Sequence, residues 1–309
     1  MKAAVIRRFG GIDAIEIEEL PVPQPKAGEV LVRVAAAGVG PWDALIREDQ
    51  SVTNSPFPIT LGSDISGTVE LVGDGATQFK KGDSVYGCTN MDFIGGYAEF
   101  AVAKAGMIAA KPHSLDFVEA ASAPVVAVTP LQGLFEYGHL KAGQTVLIHG
   151  AAGSVGAFAV QLAKDAGVKV IATASAKDAD FVRGLGADVV VDFRKEKFED
   201  VAHNVDAVLD MVGGDTLARS MNVLKPDGIA VTVVGPPPKA LEEKFGARVV
   251  FFLVEVTTER LNRITAMCDA GKLKTDVGTE LPLSEARKAH EMLAGAPHSR
   301  GKIVLKPGA

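Results

Sequence analysis

A chain of 309 residues is long enough to hold two domains with separate apolar cores. Hydrophobic residues make up 47% and charged residues 23%, ordinary globular values that exclude a disordered or fibrous chain. The formal net charge of -6 gives no global support to binding of phosphate backbones or anionic membranes, and Cys88 and Cys268 alone are too few for a disulfide framework or a four-cysteine zinc lobe. The first residues reach Arg7 and Arg8 before any long apolar run, and no segment approaches the roughly 20 apolar residues of a membrane span. A soluble protein of the reducing cytoplasm is the expectation.

Between Lys2 and about Ala105, β-branched runs such as Glu29-Val30-Leu31-Val32-Arg33-Val34 and Gly67-Thr68-Val69-Glu70-Leu71-Val72 are broken by Gly and Pro. This alternation with turn punctuation predicts an antiparallel, barrel-like β unit. From about Pro124 the pattern changes to compact apolar runs, Thr145 to His149, Val168 to Thr173, Val205 to Asp210 and Gly228 to Val234, separated by helical stretches. Such β-α alternation predicts a parallel sheet covered by helices on both faces. Pro236-Pro237-Pro238 reads as a stiff loop after a strand end. Beyond Thr257 come a helix over Leu261 to Cys268, the run Leu281-Pro282-Leu283, a helix from Ala286 to Leu293 and a last strand around Gly301 to Leu305, an ending able to rejoin the first domain.

Gly150-Ala151-Ala152-Gly153-Ser154-Val155-Gly156 follows the strand ending at His149 and opens a helix through about Ala166. Small residues there let the backbone approach a pyrophosphate, whose charge is met by free N–H groups and the positive end of the helix dipole. Val155, Ala159, Leu162 and Ala163 fall at helical spacing for burial, and Gly167 is placed to end the helix. An isolated glycine turn also serves as a plain strand-to-helix connection; four successive β-α units favour the dinucleotide reading. The spacing is G-x-x-G-x-x-G rather than G-x-G-x-x-G, and Ala152 stands where a G-x-S-x-G hydrolase elbow needs serine.

A cofactor with a free ribose 2′-hydroxyl is usually met by Asp or Glu at the end of the next strand. Here that stretch is Thr173-Ala174-Ser175-Ala176-Lys177, and a hydroxyl and a cation suit a 2′-phosphate instead. The expected cofactor is NADP(H). The plain alternative for Lys177 is a solvated lysine at a helix start.

Several separated motifs resemble the medium-chain dehydrogenases/reductases, specifically their zinc-independent, zeta-crystallin-like quinone oxidoreductase branch: Gly38-Val39-Gly40-Pro41-Trp42-Asp43, Leu61 to Gly67, Lys141 to His149, the Gly150 to Gly156 turn and Ser299 to Leu305. The resemblance implies an α/β protein with a GroES-like β-barrel catalytic domain formed by residues 1–124 and 258–309. It implies a Rossmann domain, a doubly wound parallel sheet, over 125–257, with the active site in the cleft between the two. Zinc-dependent relatives carry cysteine at the position of Gly40 and histidine at that of Ser63, so no metal is expected; the six scattered histidines have no ligand spacing. By motif, Thr129 is carried to the nicotinamide, Gly150, Ala152, Gly153, Ser154, Val155 and Gly156 to the pyrophosphate, Ser175 and Lys177 to the 2′-phosphate, and Phe193 to the adenine. Val234, Gly235, Phe252, Leu253 and Val254 are expected to border the cofactor, with Arg300 and Lys302 approaching it from the returning C-terminus.

Gly40, Trp42, Asp43 and Phe93 are the candidate substrate-pocket residues, with an Asp43–Arg47 structural pair beside it; Trp42, Tyr86, Phe93 and Tyr97 are aromatic enough to line an apolar cleft, while core or rim packing is the default reading for each. Gly40 and Leu45 replace an Asn and a Tyr of the family pattern, and no proton donor is assigned. The implied reaction is hydride transfer from NADPH to a quinone or an α,β-unsaturated carbonyl compound without metal. The other class considered is an NADPH-binding regulatory or nucleic-acid-binding protein with little turnover. The acidic balance disfavours nucleic acid, no membrane partner is expected, and a homodimer is the base-rate assembly.

Overall fold

The computed structural model describes residues 1–51, 55–238 and 240–308. The chain forms two compact units, Met1–Val125 with Val256–Ala309, and Val126–Glu255. In chain order the first stretch contains β1 (Lys2–Ile6), β2 (Ile15–Glu19), β3 (Glu29–Val39), α1 (Pro41–Arg47), β4 (Ile59–Thr60), β5 (Asp64–Val72), β6 (Ser84–Cys88), β7 (Phe100–Lys104), β8 (Ile108–Ala110) and α2 (Phe117–Ala121). Next come α3 (Pro124–Leu131), β9 (Thr145–Ile148), α4 (Ser154–Asp165), β10 (Lys169–Ala174), α5 (Ala179–Gly184), β11 (Val189–Asp192), β12 (Val205–Asp210), α6 (Gly214–Ser220), β13 (Leu224–Thr232), α7 (Ala240–Phe245) and β14 (Arg248–Phe251). The chain closes with α8 (Thr258–Asp269), β15 (Val277–Pro282), α9 (Ala286–Leu293) and β16 (Lys302–Lys306).

In the first unit, β15-β16-β3-β5-β6-β8 form one sheet, with β7 also on β3, and β2-β1-β4 form a smaller one. Its pairings are antiparallel except β15 with β16. The long strand β3 is apolar along almost its whole length because the sheet curls around its side chains; Val30, Val32, Val34, Ile65, Ile303 and Leu305 share one core. β16 lies between β15 and β3, with Ile303 opposite Val39 and Leu305 opposite Ala37.

The second unit is a parallel six-stranded sheet in the order β11-β10-β9-β12-β13-β14. Strand order reverses between β9 and β12, the switch point at which open α/β sheets bind ligands beyond the carboxyl ends of their strands. Three of the four residues of β9 are wholly buried, as a strand covered on both faces requires. Gly167, with φ +73°, ends α4 in the left-handed conformation that glycine adopts without strain.

Two elements begin before their apolar runs. β13 starts at Leu224 because Leu224 pairs with Val205 ahead of a register shift, and the intervening Lys225, Pro226 and Asp227 are exposed. α8 starts at Thr258 because the Thr257 hydroxyl caps it, accepting from the Arg260 N–H at 3.3 Å.

Candidate functional site

The carboxyl ends of the six parallel strands bring the candidate cofactor residues to one edge of the second unit. After β9, Gly150 turns the chain at φ +71° and Gly153 caps α4 without any side chain bonding the first turn. The glycines do different things. A β-carbon on Gly156 would collide with the Gly150 carbonyl and the Ala151 Cα, so the turn itself requires glycine there. A β-carbon on Gly153 would meet only the Gly150 oxygen, at 3.3 Å, and otherwise points into open space. That bare, exposed stretch before uncapped helical N–H groups fits a pyrophosphate. Ser154 and Val155 flank it; Val155, expected to be buried, is half-exposed at the helix start, while Ala159, Leu162 and Ala163 are buried.

At the ends of β10 and β11 the picture is more charged than the sequence suggested. The Ser175 hydroxyl donates to Asp178 Oδ2 at 2.6 Å, an acid overlooked at the sequence level although it lies in the same short turn. Lys177 is exposed. Phe193 follows β11 with 58% of its surface exposed, the Arg194 guanidinium lies 5.7 Å from its ring centroid, and Arg194, Lys195, Lys197, Glu199 and Arg219 line a shallow pocket of about 400 Å³ beside it. Arg219 is held by Glu199 at 2.6 and 2.7 Å, which leaves Arg194 as a basic group the motif comparison did not single out.

Apolar side chains stand exposed at the remaining strand ends: Val212 beyond β12 at 51%, Val234 beyond β13 at 55% and Leu253 beyond β14 at 78%. Val212 was not anticipated, and Gly235 and Val254 flank the others. Phe252 is different: it is buried, stacked on Tyr137 at 4.5 Å, so its ring serves the core rather than a cofactor face. Thr129 is buried within α3.

His149, at the end of β9, is buried between the hydroxyls of Thr173 (3.1 Å) and Ser220 (2.8 Å). Burial pulls its pKa down to about 4, so it is neutral and structural.

The first unit buries a second cluster. Lys302 is 4% exposed, with its Nζ 3.7 Å from Asp64 Oδ2 and 4.4 Å from the centroid of the Trp42 ring. The Trp42 indole N–H donates to Ser63 Oγ at 3.1 Å. Asp43 Oδ2 accepts from the Gly40 N–H at 2.8 Å, closing the first turn of α1, and from the Tyr97 hydroxyl at 2.7 Å. Asp43 Oδ1 and Asp64 Oδ2 are buried without a hydrogen bond. Desolvation pushes Asp43 up to about 6 and Asp64 up to about 7, opposed in both by the Lys302 charge; the same desolvation lowers Lys302 from the usual lysine value.

Two expectations need correction here. Asp43 and Arg47 do not pair: the Arg47 guanidinium goes to the Gly10 carbonyl (3.1 Å), to His290 Nδ1 (2.7 Å) and to Glu48, while Asp43 Oδ2 is taken up by the Gly40 N–H and the Tyr97 hydroxyl. Tyr86 and Tyr97 are wholly buried, as their core-packing reading has it, and line no surface; the Tyr86 hydroxyl donates to the Leu261 carbonyl at 2.8 Å. Lys302 is interior to the first unit, while Arg300 pairs with Asp276 at 3.1 Å. Phe93, with φ +57°, is half-buried against the barrel core, and Trp42 is half-buried.

Residues 26–113 match the alcohol dehydrogenase GroES-like domain, and residues 185–305 match the zinc-binding dehydrogenase family. Human quinone oxidoreductase is 32% identical, the match covering 99% of this chain and 97% of the human one. The chain belongs to the quinone oxidoreductases of the medium-chain dehydrogenase/reductase superfamily. Another relative of this quinone oxidoreductase is the chloroplastic NADPH-dependent alkenal/one oxidoreductase of Arabidopsis thaliana, 33% identical over 99% of this chain and 80% of that one. Among solved structures, Escherichia coli quinone oxidoreductase complexed with NADPH superposes with a TM-score of 0.90 at 27% identity, over 99% of this chain and 100% of that one.

Although one matched family is described as zinc-binding, the residues of this quinone oxidoreductase do not fit a zinc ion. At position 40 there is no side chain, and the volume in front of it is filled by the Trp42 ring. The Ser63 hydroxyl is engaged by the Trp42 N–H, and no group of three or more His, Cys, Asp or Glu side chains converges among the described residues.

Proposed function

We propose that this enzyme reduces quinones or α,β-unsaturated carbonyl compounds with NADPH, using residues 125–257 to hold the cofactor and residues 1–124 with 258–309 to receive the substrate. The carboxyl edge of the parallel sheet carries this reading: an open Gly153 before uncapped α4 N–H groups, with exposed apolar side chains at the neighbouring strand ends. When bound, the reduced nicotinamide supplies the hydride. Gly150, Ala152, Gly153, Ser154, Val155 and Gly156 hold the pyrophosphate, Lys177 and Arg194 meet the 2′-phosphate, and Phe193 packs on the adenine. Ser175 acts by fixing the turn through Asp178. Val234, Gly235, Leu253 and Val254 shield the cofactor from water, and Thr129 orients the nicotinamide.

Trp42 and Phe93 give the substrate apolar surface, suited to the planar, weakly polar compounds that the names of the human and Arabidopsis relatives specify. Those relatives are named as enzymes, which supports turnover over a purely regulatory role. The acidic net charge disfavours nucleic-acid and anionic-membrane partners, while a cytoplasmic location follows from the two lone cysteines and a homodimer from the base rate of assembly. The test is NADPH oxidation across a panel of quinones and enones. Turnover with at least one class is expected; binding of NADPH without turnover across the panel would overturn the reading.

A further inference from the structure

Val212 and Val234 stand just beyond β12 and β13, neighbours in the parallel sheet, and keep 51% and 55% of their surface exposed. They adjoin each other and the phosphate turn. A β-carbon on Gly213 would lie 3.0 Å from Val234 Cγ1, so the bare backbone there lets Val234 rest against the turn that carries Val212. A β-carbon on Gly150 would lie 3.7 Å from Val212 Cγ2. Isolated apolar side chains at a surface need no explanation, but these two are held from below by one carboxylate. Asp210, wholly buried, accepts from the Val212 N–H at 3.0 Å, from the Gly213 N–H at 3.0 and 3.1 Å and from the Thr232 hydroxyl at 2.8 Å. Thr232 Oγ1 in turn accepts from the Val234 N–H at 3.4 Å, and the Val233 N–H donates to the Asp210 carbonyl at 3.2 Å. Gly213 and Gly214, at φ +76° and +55°, supply the left-handed backbone that lets the first turn fold back onto the carboxylate. A buried acid committed to the placement of two exposed valines is the arrangement expected of a ligand surface held rigid in advance.

The order of the strands selects the part of the cofactor that meets this surface. Lys177 and Phe193 follow β10 and β11, the glycine turn follows β9, and β12 and β13 continue the sheet on the far side. Neighbouring strands are about 4.8 Å apart, so Val212 and Val234 lie roughly 5 and 10 Å beyond the pyrophosphate turn, away from the adenine end. A dinucleotide with its adenine half over β10 and β11 and its pyrophosphate at β9 has only the nicotinamide half left to lay across β12 and β13. That half ends in a flat ring, uncharged when reduced, which suits an apolar floor.

We propose that Val212 and Val234 form the floor under the nicotinamide half of NADPH, and that Asp210 is the positioning residue that sets both side chains in place. It acts through the Val212 and Gly213 N–H groups and through Thr232. Both of its carboxylate oxygens are taken up by donors of the protein, so it touches no ligand itself. The proposal rests on the cofactor reading above and extends it to residues outside the glycine motif.

The experiment compares two ligands on the full-length protein by titration calorimetry: NADPH, and adenosine 2′,5′-bisphosphate, which carries the adenine half with its 2′-phosphate and lacks the nicotinamide. Val212→Ala removes two methyl groups from the floor and should weaken NADPH binding about three- to tenfold, with the bisphosphate within about twofold of the wild type. Asp210→Asn should show the same split. Because that change disturbs a buried network, Thr232→Val and Thr232→Ser are the milder arm: the first should lose NADPH affinity, and the second, which keeps the hydroxyl, should match the wild type. The emission of bound NADPH is the spectroscopic readout, raised above that of free NADPH in the wild type and falling toward it in Val212→Ala, Asp210→Asn and Thr232→Val. An equal loss for both ligands, unchanged NADPH affinity in Val212→Ala, or identical behaviour of Thr232→Val and Thr232→Ser would overturn the proposal and leave the cofactor reading standing. A wild type that binds neither ligand would sink the cofactor reading and the proposal with it. The expected split in a protein that turns over no quinone or enone would sustain the floor and sink the reductase reading alone.

Discussion

The ring of Trp42 occupies the volume in front of Gly40, and its N–H is fixed on Ser63. Gly40→Ala therefore has to displace the indole, together with its contact to Lys302. Overpacking of this kind costs about 1–3 kcal/mol. The expected outcome is a lower denaturation midpoint with a red-shifted tryptophan emission; an unchanged midpoint and spectrum would contradict the packing described.

Gly153 and Gly156 separate binding from folding. Gly153→Val leaves the turn nearly intact but blocks the approach of a pyrophosphate, so NADPH affinity should fall by about tenfold or more with little change in stability. Gly156→Val should do the reverse, lowering the unfolding midpoint because its branched side chain meets the Gly150 carbonyl. Titration calorimetry alongside urea melts distinguishes the two, and equal NADPH affinity in Gly153→Val and wild type would remove the pyrophosphate from this turn.

Cofactor choice is tested at the end of β10. Ser175→Asp with Lys177→Ala sets a second carboxylate beside Asp178 and removes the exposed cation. Loss of a charge-assisted phosphate contact costs about 1.5–3 kcal/mol, roughly ten- to hundredfold in affinity. NADPH binding should weaken by that amount while NADH binding is spared, and added salt should shrink the wild-type preference. A wild type that binds both cofactors equally, or a variant that keeps the original preference, would refute the assignment.

Acid stability depends on His149. Its pKa is depressed in the folded state to about 4, so below the ordinary histidine value of about 6.5 the unfolded chain takes up a proton that the folded chain refuses. That withdraws about 1.4 kcal/mol of stability per pH unit as pH falls from about 6.5 toward 4. Asp43 and Asp64, whose pKa values are raised, act in the opposite sense over much of this window and flatten the total. The difference between proteins isolates the histidine: His149→Gln should be destabilising at neutral pH, with a penalty that shrinks on acidification. A penalty independent of pH would mean that His149 titrates normally in the folded protein.

Metal dependence is checked by exhaustive chelation. NADPH-dependent turnover and the unfolding midpoint should both survive it; stoichiometric zinc whose removal abolishes activity and whose return restores it would be incompatible with the indole-filled slot.

The second unit was readable in the sequence because its signals are local: β9, β10 and β12 are short apolar runs, and the glycine turn lies directly between a strand and a helix. The cluster around Lys302 was not. Asp64 and Lys302 are brought together by β3 lying between β5 and β16, a nonlocal pairing that leaves no periodic trace, and the family pattern carries Lys302 toward the cofactor rather than into this interior. Asp178 was visible but overlooked, since the side chain that engages Ser175 sits three residues beyond it. Phe252 followed the strand-end pattern, and only its stack on Tyr137 reveals that it faces inward.

Placing β16 between β15 and β3 also fixes an order of events during synthesis. The second unit is continuous and complete once Glu255 has been made, whereas the first has to wait for Lys302–Lys306 before the Ala37–Val39 end of β3, beyond its pairing with β7, gains a neighbour. Pairing Ile303 with Val39 spans most of the chain, the kind of distant contact that slows folding. The order of the chain therefore puts a complete second unit behind a first unit in which the Ala37–Val39 end of β3 lacks its partner until Lys302–Lys306 have been made, and an apolar strand end open for that interval is the kind of feature that invites misassociation or chaperone capture.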